Sequence, residues 1–383
     1  MRFIPVYDAD HESPAQRGEC TMKGLRLYLP PFAPDTSGAA SVLYPLGGMV
    51  IIVDAGGCAG NICGFDEPRW QQNGSRSAVF SAGLRDMDAI MGRDDKLIEK
   101  IRQACLMFDP RFIALIGTPV PAVIGTDYHA LTRMIQNAVH RPAIAIDSNG
   151  TQKYDQGGAK ALLALSRMFA PKKERQRPAN ESQNGKQGTL GVLGLTPLDF
   201  TAKEAHRLIS ILHRQSWQDI RCYDRLEDFQ QAGQFRKNLV VSPMGLPAAR
   251  FFAAQFDIPY EVSIPAEFFE ESAALSSIPS DSRVLIVHQQ IFANSLRGFL
   301  RQKGHQGAIC CATFFEQADQ LAEKDDQLLE EEDSLCQFLQ TEPFDYLAAD
   351  ELMLRALPDF HGHFIPLPHF AASGSPATAK ISV

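Results

Sequence analysis

The chain has 383 residues, 45% of them hydrophobic and 21% charged, which is enough to bury two or three domain cores. Its formal net charge of -8, without a dense Lys/Arg tract, argues against nucleic acid as a partner, because binding to a phosphate backbone needs clustered basic residues. No stretch approaches the roughly 18 apolar residues of a membrane span, and the first residues resemble no export signal. We therefore expect a cytoplasmic protein without membrane contact.

Residues 1–171 alternate between apolar, β-rich runs and amphipathic helical stretches. The predicted strands are MVIIVDA, FIALIG and PAIAID. The predicted helices are DKLIEKIRQACLMF, HALTRMIQNAVH and GGAKALLALSRMF. Because this alternation is typical of a parallel sheet covered by helices, we predict an N-terminal Rossmann-like domain over residues 1–171.

Residues 172–188 are polar and aperiodic, which indicates a linker. The alternation then restarts, with Thr201 as a predicted N-cap three residues before Glu204, and predicts a second Rossmann-like domain over residues 189–275. A third follows over residues 276–383, with an acidic helix around Leu328 to Leu339 and a Pro-rich tail. The predicted fold class is α/β, with three Rossmann-like domains whose parallel β-sheets are flanked by helices.

Two common nucleotide-binding motifs are absent from the sequence. No GxxxxGK[ST] phosphate loop occurs, so we do not expect ATP hydrolysis on this chain. GxGxxG is also missing, and the nearest Gly cluster, DAGGCAGNICG, carries Cys where a dinucleotide fold needs close backbone approach to pyrophosphate. Because neither motif is present, nucleotide binding does not explain why the chain has Rossmann-like domains.

The Gly-rich cluster holds the first candidate for a metal ligand. Cys58 directly follows the predicted strand MVIIVDA, at the strand end where open α/β sheets bind ligands. Its neighbour Gly57 would let the backbone approach an inorganic group and donate hydrogen bonds to its sulfides. The alternative for Cys58 is a small buried residue in a tight turn. Cys20, in RGECTMKG, is either a second ligand or an exposed loop thiol. Cys63 is a third ligand, a proton-handling thiol beside the site, or a residue without a functional role.

The run GFDEPRW follows this turn directly. Asp66, Glu67, Arg69 and Trp70 form an unusually polar and aromatic set for a loop beside a site. Because loops often carry function, we interpret these four residues as shaping a substrate pocket or shielding the cofactor. The alternative is a surface loop with a local ion pair.

Most of the other thiols and histidines are interpreted as structural. Cys105 has apolar neighbours and Cys222 lies in the strand-like run IRCYD, so both are assigned to the core. The adjacent Cys310 and Cys311 lie in a β-run, where successive side chains face opposite sides. The histidines of FHGHFIPLPHF are interpreted as surface or packing residues. No CxxC occurs, so a zinc ribbon is not supported.

The order of these motifs resembles the nitrogenase component 1 superfamily. The resemblance rests on Cys20 in RGECTMKG and Cys58 in DAGGCAG, followed by SAVFSAGLRDMDAIMGRDDKLIEKI, FIALIG and PAVIGTDYHALTRMI. It continues through LGVLGLTPLDF, NLVVSPMGLPAARFFAAQFDIPY and RVLIVHQQIFANSLRGFL, and so covers most of the chain. In that family such segments build an interfacial iron-sulfur site. The resemblance therefore implies an iron-sulfur cluster held by Cys20 and Cys58, with Cys63 as a further candidate.

Two departures from the family pattern change what the resemblance implies about the type of cluster and the substrate. The third interfacial Cys of the family falls at Pro119, which favours a 4Fe-4S cluster over an eight-iron one. The Cys that holds the catalytic cofactor of nitrogenases falls at about Ser242, and a hydroxyl is a poor soft-metal ligand. The resemblance thus implies a nitrogenase-like oxidoreductase, not a true molybdenum nitrogenase, without a FeMo-type cofactor and with a small organic substrate such as a tetrapyrrole or thioether.

The number of protein ligands that a cluster needs predicts that the chain forms a dimer. A cubane needs about four protein ligands, and two matching Cys per chain supply half of them, so we predict a cluster shared across a homodimer, or across a heterodimer with a paralogue. The resemblance also implies a separate iron-protein-like ATPase reductase that passes electrons to the cluster. Two alternatives remain open: a non-catalytic scaffold or carrier for metal-cluster assembly, and a Rossmann-like binding protein whose eight Cys are all structural.

Overall fold

The computed structural model describes residues 26–54, 56–62, 77–83, 94–171 and 188–374. The strands of this part, in chain order, are β1 (Met49–Ile52), β2 (Ala78–Ser81), β3 (Ile113–Ile116), β4 (Ala143–Ile146), β5 (Thr189–Leu193), β6 (Asp219–Arg221), β7 (Lys237–Val240), β8 (Tyr260–Val262), β9 (Val284–Val287), β10 (Ile309–Thr313), β11 (Gln327–Leu328), β12 (Tyr346–Ala349) and β13 (His363–Pro366).

These strands form three sheets. Their orders are β2-β1-β3-β4, β6-β5-β7-β8 and β11-β10-β9-β12-β13, referred to below as the first, second and third sheets. Every pairing between neighbouring strands is parallel. The α/β fold class with three parallel sheets is therefore confirmed. The domain boundaries at 171, 188 and 275 stay a prediction.

Helices cover the sheets. They are α1 (Asp35–Leu43), α2 (Gly57–Asn61), α3 (Asp94–Phe108), α4 (Pro119–Ile124), α5 (Tyr128–Val139), α6 (Tyr154–Phe169), α7 (Ala202–Arg214), α8 (Leu226–Gln231), α9 (Leu246–Phe256), α10 (Ala273–Ser276), α11 (Gln290–Gln302), α12 (Glu332–Thr341) and α13 (Phe370–Ser373). No helix in the described ranges is both long enough and apolar enough to cross a membrane.

The central strands read as continuous apolar runs because both of their faces are covered. Every residue of β1, β3 and β9 is buried, as is typical of parallel strands between two helical layers. Along β10, Cys310 packs into one hydrophobic cluster and Cys311 into another, so the prediction that they face opposite sides is confirmed.

Helices α1 and α6 touch backbone to backbone. A Cβ added at Gly38 would lie 1.7 Å from the carbonyl oxygen of Tyr154, and one added at Gly157 would lie 1.8 Å from that of Asp35. Only glycine permits such an approach at both positions. The contact fixes the start of α6, where Tyr154 is fully buried.

Local signals predicted some helix ends correctly and missed others. Thr201 and Glu204 form the predicted capping box at the start of α7. The acidic helix begins at Glu332 and not near Leu328, because Gln327–Leu328 pairs with β10 as an edge strand. The Pro-rich tail contains β13, another edge strand, where a Pro is tolerated. Of the predicted linker, 172–187 lie outside the described residues.

Candidate functional site

The turn after β1 carries Cys58 and is held in place by Asp54. Cys58 is the second residue of α2, which follows Gly56 with a φ of 126°, a value that favours glycine. The Oδ2 atom of Asp54 accepts a hydrogen bond of 2.9 Å from the N–H of Ala59. Its Oδ1 atom accepts one of 2.6 Å from the hydroxyl of Ser81, at the end of β2. The carboxylate therefore ties the Cys58 turn to the neighbouring strand.

The Cys58 thiol is half-buried on this glycine-rich turn. A Cβ added at Gly56, Gly57 or Gly60 would meet no heavy atom of the described residues within 4 Å. Burial raises the pKa of the Cys58 thiol, and the nearby Asp54 carboxylate raises it further. Coordination to a metal would deprotonate this thiol. A partly exposed thiol on an open, glycine-rich turn fits one ligand of a bulky inorganic group.

The other predicted ligands and the adjoining loop lie outside the described residues. These are Cys20, Cys63, Asp66, Glu67, Arg69 and Trp70. Within the described ranges, no group of three or more His, Cys, Asp or Glu side chains is placed to hold a metal ion. The full ligand set and the role of the loop therefore stay predictions.

Helix α4 presents exposed apolar side chains at the carboxyl ends of the first sheet's strands, where the Cys58 turn also lies. Strand β3 pairs in parallel with β1, so α4 and the Cys58 turn both follow carboxyl strand ends. Val120, Val123 and Ile124 are 44%, 86% and 47% exposed. Pro119 occupies the first turn of α4, a position that suits its missing N–H. An exposed apolar group beside the Cys58 turn is a feature of interaction surfaces.

A second set of polar side chains is buried where the three sheets meet. Tyr154 starts α6 after β4, Asp199 follows β5, and His369 follows β13. The Tyr154 hydroxyl donates to Oδ1 of Asp199, and Nε2 of His369 lies 3.1 Å from the same oxygen and 3.3 Å from the hydroxyl. The three residues are at most 4% exposed. Burial, and after it the Asp199 carboxylate, raises the pKa of Tyr154 well above its usual value. We call these three residues the junction triad.

His288 adds an aromatic layer to the junction triad. It follows β9 and stacks on the His369 ring with centroids 4.2 Å apart. Burial, followed by the proximity of His369, holds its pKa well below the ordinary value. Among described residues, Nδ1 of His288 and Oδ2 of Asp199 are buried without a hydrogen-bond partner.

The space at this junction is small. A cavity of about 10 Å³ lies between His288, His369, Asp350 and neighbouring apolar residues, which is room for about one water molecule. Ser242, where the family pattern has a cofactor ligand, is 0% exposed. A multi-metal cofactor does not fit between the described residues of this junction.

Sequence reasoning missed the junction triad. It assigned His369 to the surface or to packing, and it singled out neither Tyr154 nor Asp199. A usable signal was present, because His288 directly follows an apolar strand and His369 lies three residues after another. Polar residues at the carboxyl ends of several parallel strands converge in space.

The buried carboxyl of Asp155, next to Tyr154 in the sequence, is expected to make the stability of the folded protein depend on pH. Its Oδ2 accepts a hydrogen bond of 2.7 Å from the N–H of Glu316, yet burial raises the pKa of its carboxyl to about 7. An acid whose pKa is raised from roughly 4 on folding makes the protein less stable as pH rises between those two values. We expect Asp155→Asn to be more stable relative to wild type at pH 8 than at pH 5, by urea unfolding. Equal differences at both pH values would contradict this.

Comparisons with known proteins place the chain among component 1 proteins. Residues 35–280 match the family described as Nitrogenase component 1 type Oxidoreductase, more than half of the chain. The solved structure of nitrogenase Cp1 at pH 6.5 superposes with a TM-score of 0.64, covering 93% of this chain and 89% of that one, at 11% identity. The structural likeness supports the fold alone.

Curated relatives match over shorter stretches. The nitrogenase iron-molybdenum cofactor biosynthesis protein NifE of Klebsiella pneumoniae is 31% identical over 122 residues, 30% of this chain and 25% of that protein. Component CfbD of the Ni-sirohydrochlorin a,c-diamide reductive cyclase complex of Methanothermobacter thermautotrophicus is 33% identical over 73 residues, 19% of this chain and 20% of that protein. The matches thus span about a quarter or less of these relatives.

Proposed function

Because the chain belongs to the family of nitrogenase component 1 type oxidoreductases, we propose that it is a nitrogenase-like component 1 that reduces a small organic substrate. Family membership implies a metal-sulfur cluster and an iron-protein partner. In our proposal the cluster is a 4Fe-4S centre shared across a homodimer, the partner is an ATP-dependent reductase, and the protein works in the cytoplasm. A tetrapyrrole or a thioether is the substrate class we favour.

The Cys58 turn is the observation that carries this proposal. It places a half-buried thiol on a glycine-rich turn at the carboxyl end of a parallel strand, and no other described residue crowds the glycines of that turn. Ligands of open α/β sheets bind at such strand ends. Glycines at this turn leave the backbone free to approach sulfide atoms and to donate hydrogen bonds to them.

Each proposed site residue has a distinct part. Cys58, Cys20 and, third, Cys63 would hold the cluster, which supplies one-electron transfer when bound. Asp54 orients the Cys58 turn through its hydrogen bonds to Ala59 and Ser81. The predicted loop, with Asp66, Glu67, Arg69 and Trp70, would exclude water from the cluster or position the substrate.

The exposed face of α4 supports the homodimer. A four-thiolate cluster needs ligands from two copies if each supplies Cys20 and Cys58. An isologous contact at this edge of the first sheet would bury Val120, Val123 and Ile124 near both Cys58 turns. The second copy of this chain is therefore the partner that we propose for this face.

Val123→Asp tests the dimer. A charge buried in an apolar contact typically costs at least about 2 kcal/mol, so we expect roughly 30-fold weaker dimerisation by sedimentation equilibrium. Leu106→Asp is the matched control, because Leu106 is also exposed (78%) but lies on α3. The C-terminal end of α3 leads to the amino end of β3, whereas the Cys58 turn and α4 follow carboxyl strand ends. Equal dimer affinity for the Val123 variant and wild type would place the interface elsewhere.

Electron transfer is the experiment that tests the function. Anaerobically purified protein would be mixed with an iron-protein-type reductase, MgATP and dithionite, and cluster reduction followed by electron paramagnetic resonance. We expect ATP-dependent reduction of a bound cluster. A protein that contains no iron and labile sulfide under strict anoxia would contradict the proposal and leave a small-molecule binding protein.

A scaffold for metal-cluster assembly is the second candidate. It is favoured by the similarity to NifE, a cofactor biosynthesis protein. A scaffold would release its cluster to an acceptor protein, whereas a reductase retains it through repeated ATP-dependent reduction. Measuring iron transfer to an apo-acceptor over the same time course separates the two functions.

A further inference from the structure

Residues 26–33 form a short surface segment that leads into α1 along elements of the third sheet, and we call this segment the strap. Leu27 is 73% exposed, whereas Leu29 is 3% exposed and belongs to the main hydrophobic cluster. Phe32 is half-buried and packs against the same cluster. The strap therefore has an exposed outer side and an apolar inner side.

Phe32 of the strap packs on two rings that line the cavity at the junction triad. Its centroid lies 5.1 Å from that of Phe314 and 5.6 Å from that of Phe315. Both of these rings line the cavity of about 10 Å³, as do His288 and His369. The centroid of Phe315 is 5.0 Å from that of His369. On this side of the protein, the strap thus forms a second aromatic layer over the junction.

Glu332 holds the strap by its backbone. Its carboxylate accepts the N–H groups of three consecutive residues: Leu27, Tyr28 at 3.0 Å and Leu29 at 2.8 Å. Glu332 is the first residue of α12 and is 2% exposed. Because hydrogen bonds to an ionised carboxylate are stronger than bonds between neutral groups, this contact fastens the strap firmly.

Helix α12 does not need this contact for its own stability. A helix needs an acceptor at its N-cap, which Glu331 supplies in a capping box with Ser334. The side chain of Glu332 instead reaches a segment about 300 residues away in sequence. The carboxylate of Glu332 therefore serves the strap and not the helix that carries it.

The backbone between Leu29 and Ala33 has little means of replacing this contact. Pro30 and Pro31 have no N–H to donate. The carbonyl of Pro30 accepts a hydrogen bond of 2.9 Å from the side chain of Arg26, which belongs to the strap itself. The N–H of Ala33 donates to the carbonyl of Ala371 in α13 over 2.8 Å and fixes the end that adjoins α1. A segment held at two points can open locally while the rest of the protein stays folded.

Opening on this side would hydrate polar atoms that are unpaired in the closed form. Among the described residues, Nδ1 of His288 and Oδ2 of Asp199 are buried without a hydrogen-bond partner. A buried polar atom without a partner destabilises the closed form relative to one that water can reach. Hydration of these atoms would therefore offset part of the apolar contact that Phe32 and Leu29 lose.

We infer that the strap is a gate over the junction triad and that Glu332 is its latch. When the carboxylate releases residues 27–29, the strap turns outward about Ala33 and exposes Phe314 and Phe315, so that water and small polar solutes reach the triad. The inference goes beyond the proposed function, because the gate lies on the third sheet and does not depend on a cluster at the Cys58 turn.

Carbethoxylation of histidines tests the gate in the full-length protein. Diethyl pyrocarbonate modifies neutral imidazoles that solvent reaches, and burial together with His369 keeps the pKa of His288 well below its ordinary value. His288 and His305 lie in different tryptic peptides, so mass spectrometry measures each rate separately. We expect Glu332→Ala to raise the rate at His288 roughly tenfold, the change that corresponds to about 1.4 kcal/mol.

His305 is the internal control for global unfolding. It is 6% exposed, and its Nε2 lies 2.9 Å from the carbonyl of Ser282, near the amino end of β9, whereas His288 follows the carboxyl end. Its rate should stay at the wild-type value. Phe32→Ala removes the outer ring without touching the latch, and it should also accelerate the reaction at His288. Glu330→Ala is the matched control for the latch, because Glu330 is exposed on the same segment, and it should react as wild type.

Hydrogen exchange at the amides of residues 27–29 supplies the second readout. Exchange there should accelerate in Glu332→Ala, and an unchanged rate would show that the carboxylate is not the latch. A wild-type rate at His288 in both the Glu332 and the Phe32 variants would show that the strap does not cover the junction. Equal acceleration at His288 and His305 would replace the gate with global unfolding and so overturn the inference.

Discussion

Cys58→Ser is expected to remove the iron from the anaerobically purified protein. A 4Fe-4S cluster shared by two chains gives about two irons per chain, and the substitution, present in both chains, removes two of its four thiolates. Serine keeps the size of the side chain, and the Asp54 carboxylate still accepts the hydrogen bond from the backbone N–H of Ala59, so the turn itself should survive. Iron, labile sulfide and the 400-nm absorbance measure the result.

Cys105→Ser provides the control for this substitution. Cys105 is also half-buried, but it lies on α3, and burial raises the pKa of its thiol as it does for Cys58. The two variants therefore change similar thiols in different places. Retention of full iron by the Cys58 variant, or equal loss from both, would contradict the assignment of Cys58 as a ligand.

Asp199→Ala should strongly destabilise the protein. The substitution removes the acceptor of the Tyr154 hydroxyl and the partner of His369, and both remain buried. A buried polar group left without a partner costs about 1–3 kcal/mol. The Tyr154 hydroxyl and Nε2 of His369 lie 3.3 Å apart and can still bond to each other, so we expect a loss of about 1–3 kcal/mol rather than twice that. The urea midpoint, followed by circular dichroism and by tyrosine fluorescence, measures this loss.

Asp199→Asn separates the hydrogen bonds from the charge. An amide oxygen can still accept from Tyr154, so most of the stability should return. If the alanine variant unfolds at the wild-type midpoint, the junction triad does not hold the three sheets together. If the asparagine variant is as unstable as the alanine variant, the negative charge of Asp199 is the essential feature.

The apolar periodicity of the sequence was sufficient to predict the fold class. Runs such as MVIIVDA and RVLIVH are buried on both faces, and the structure has parallel strands at both places. The edge strands β11 and β13 escaped prediction because they are short and carry little apolar signal. Strand β11 has two residues within an acidic stretch, and β13 lies among prolines.

The place of Cys58 in the fold was predictable because one local segment determines it. The Cys58 turn combines a strand, a Gly cluster and a thiol within a few residues, and the structure describes the thiol as half-buried at the end of β1. The junction triad, by contrast, joins Tyr154, Asp199 and His369 across 215 residues, and no single segment indicates it: the signal appears only when the polar residues that follow several separate strands are compared.

The close contact of α1 with α6 limits which substitutions Gly38 and Gly157 can tolerate. Gly38 and Gly157 face the partner helix's backbone at distances that exclude even a methyl group. Since α6 begins with Tyr154, any larger side chain at either glycine would push the buried hydroxyl away from Asp199. Neither glycine can therefore be replaced by a larger residue without a shift of the opposite helix, and the position of the Tyr154 hydroxyl in the junction triad depends on this contact between two backbones.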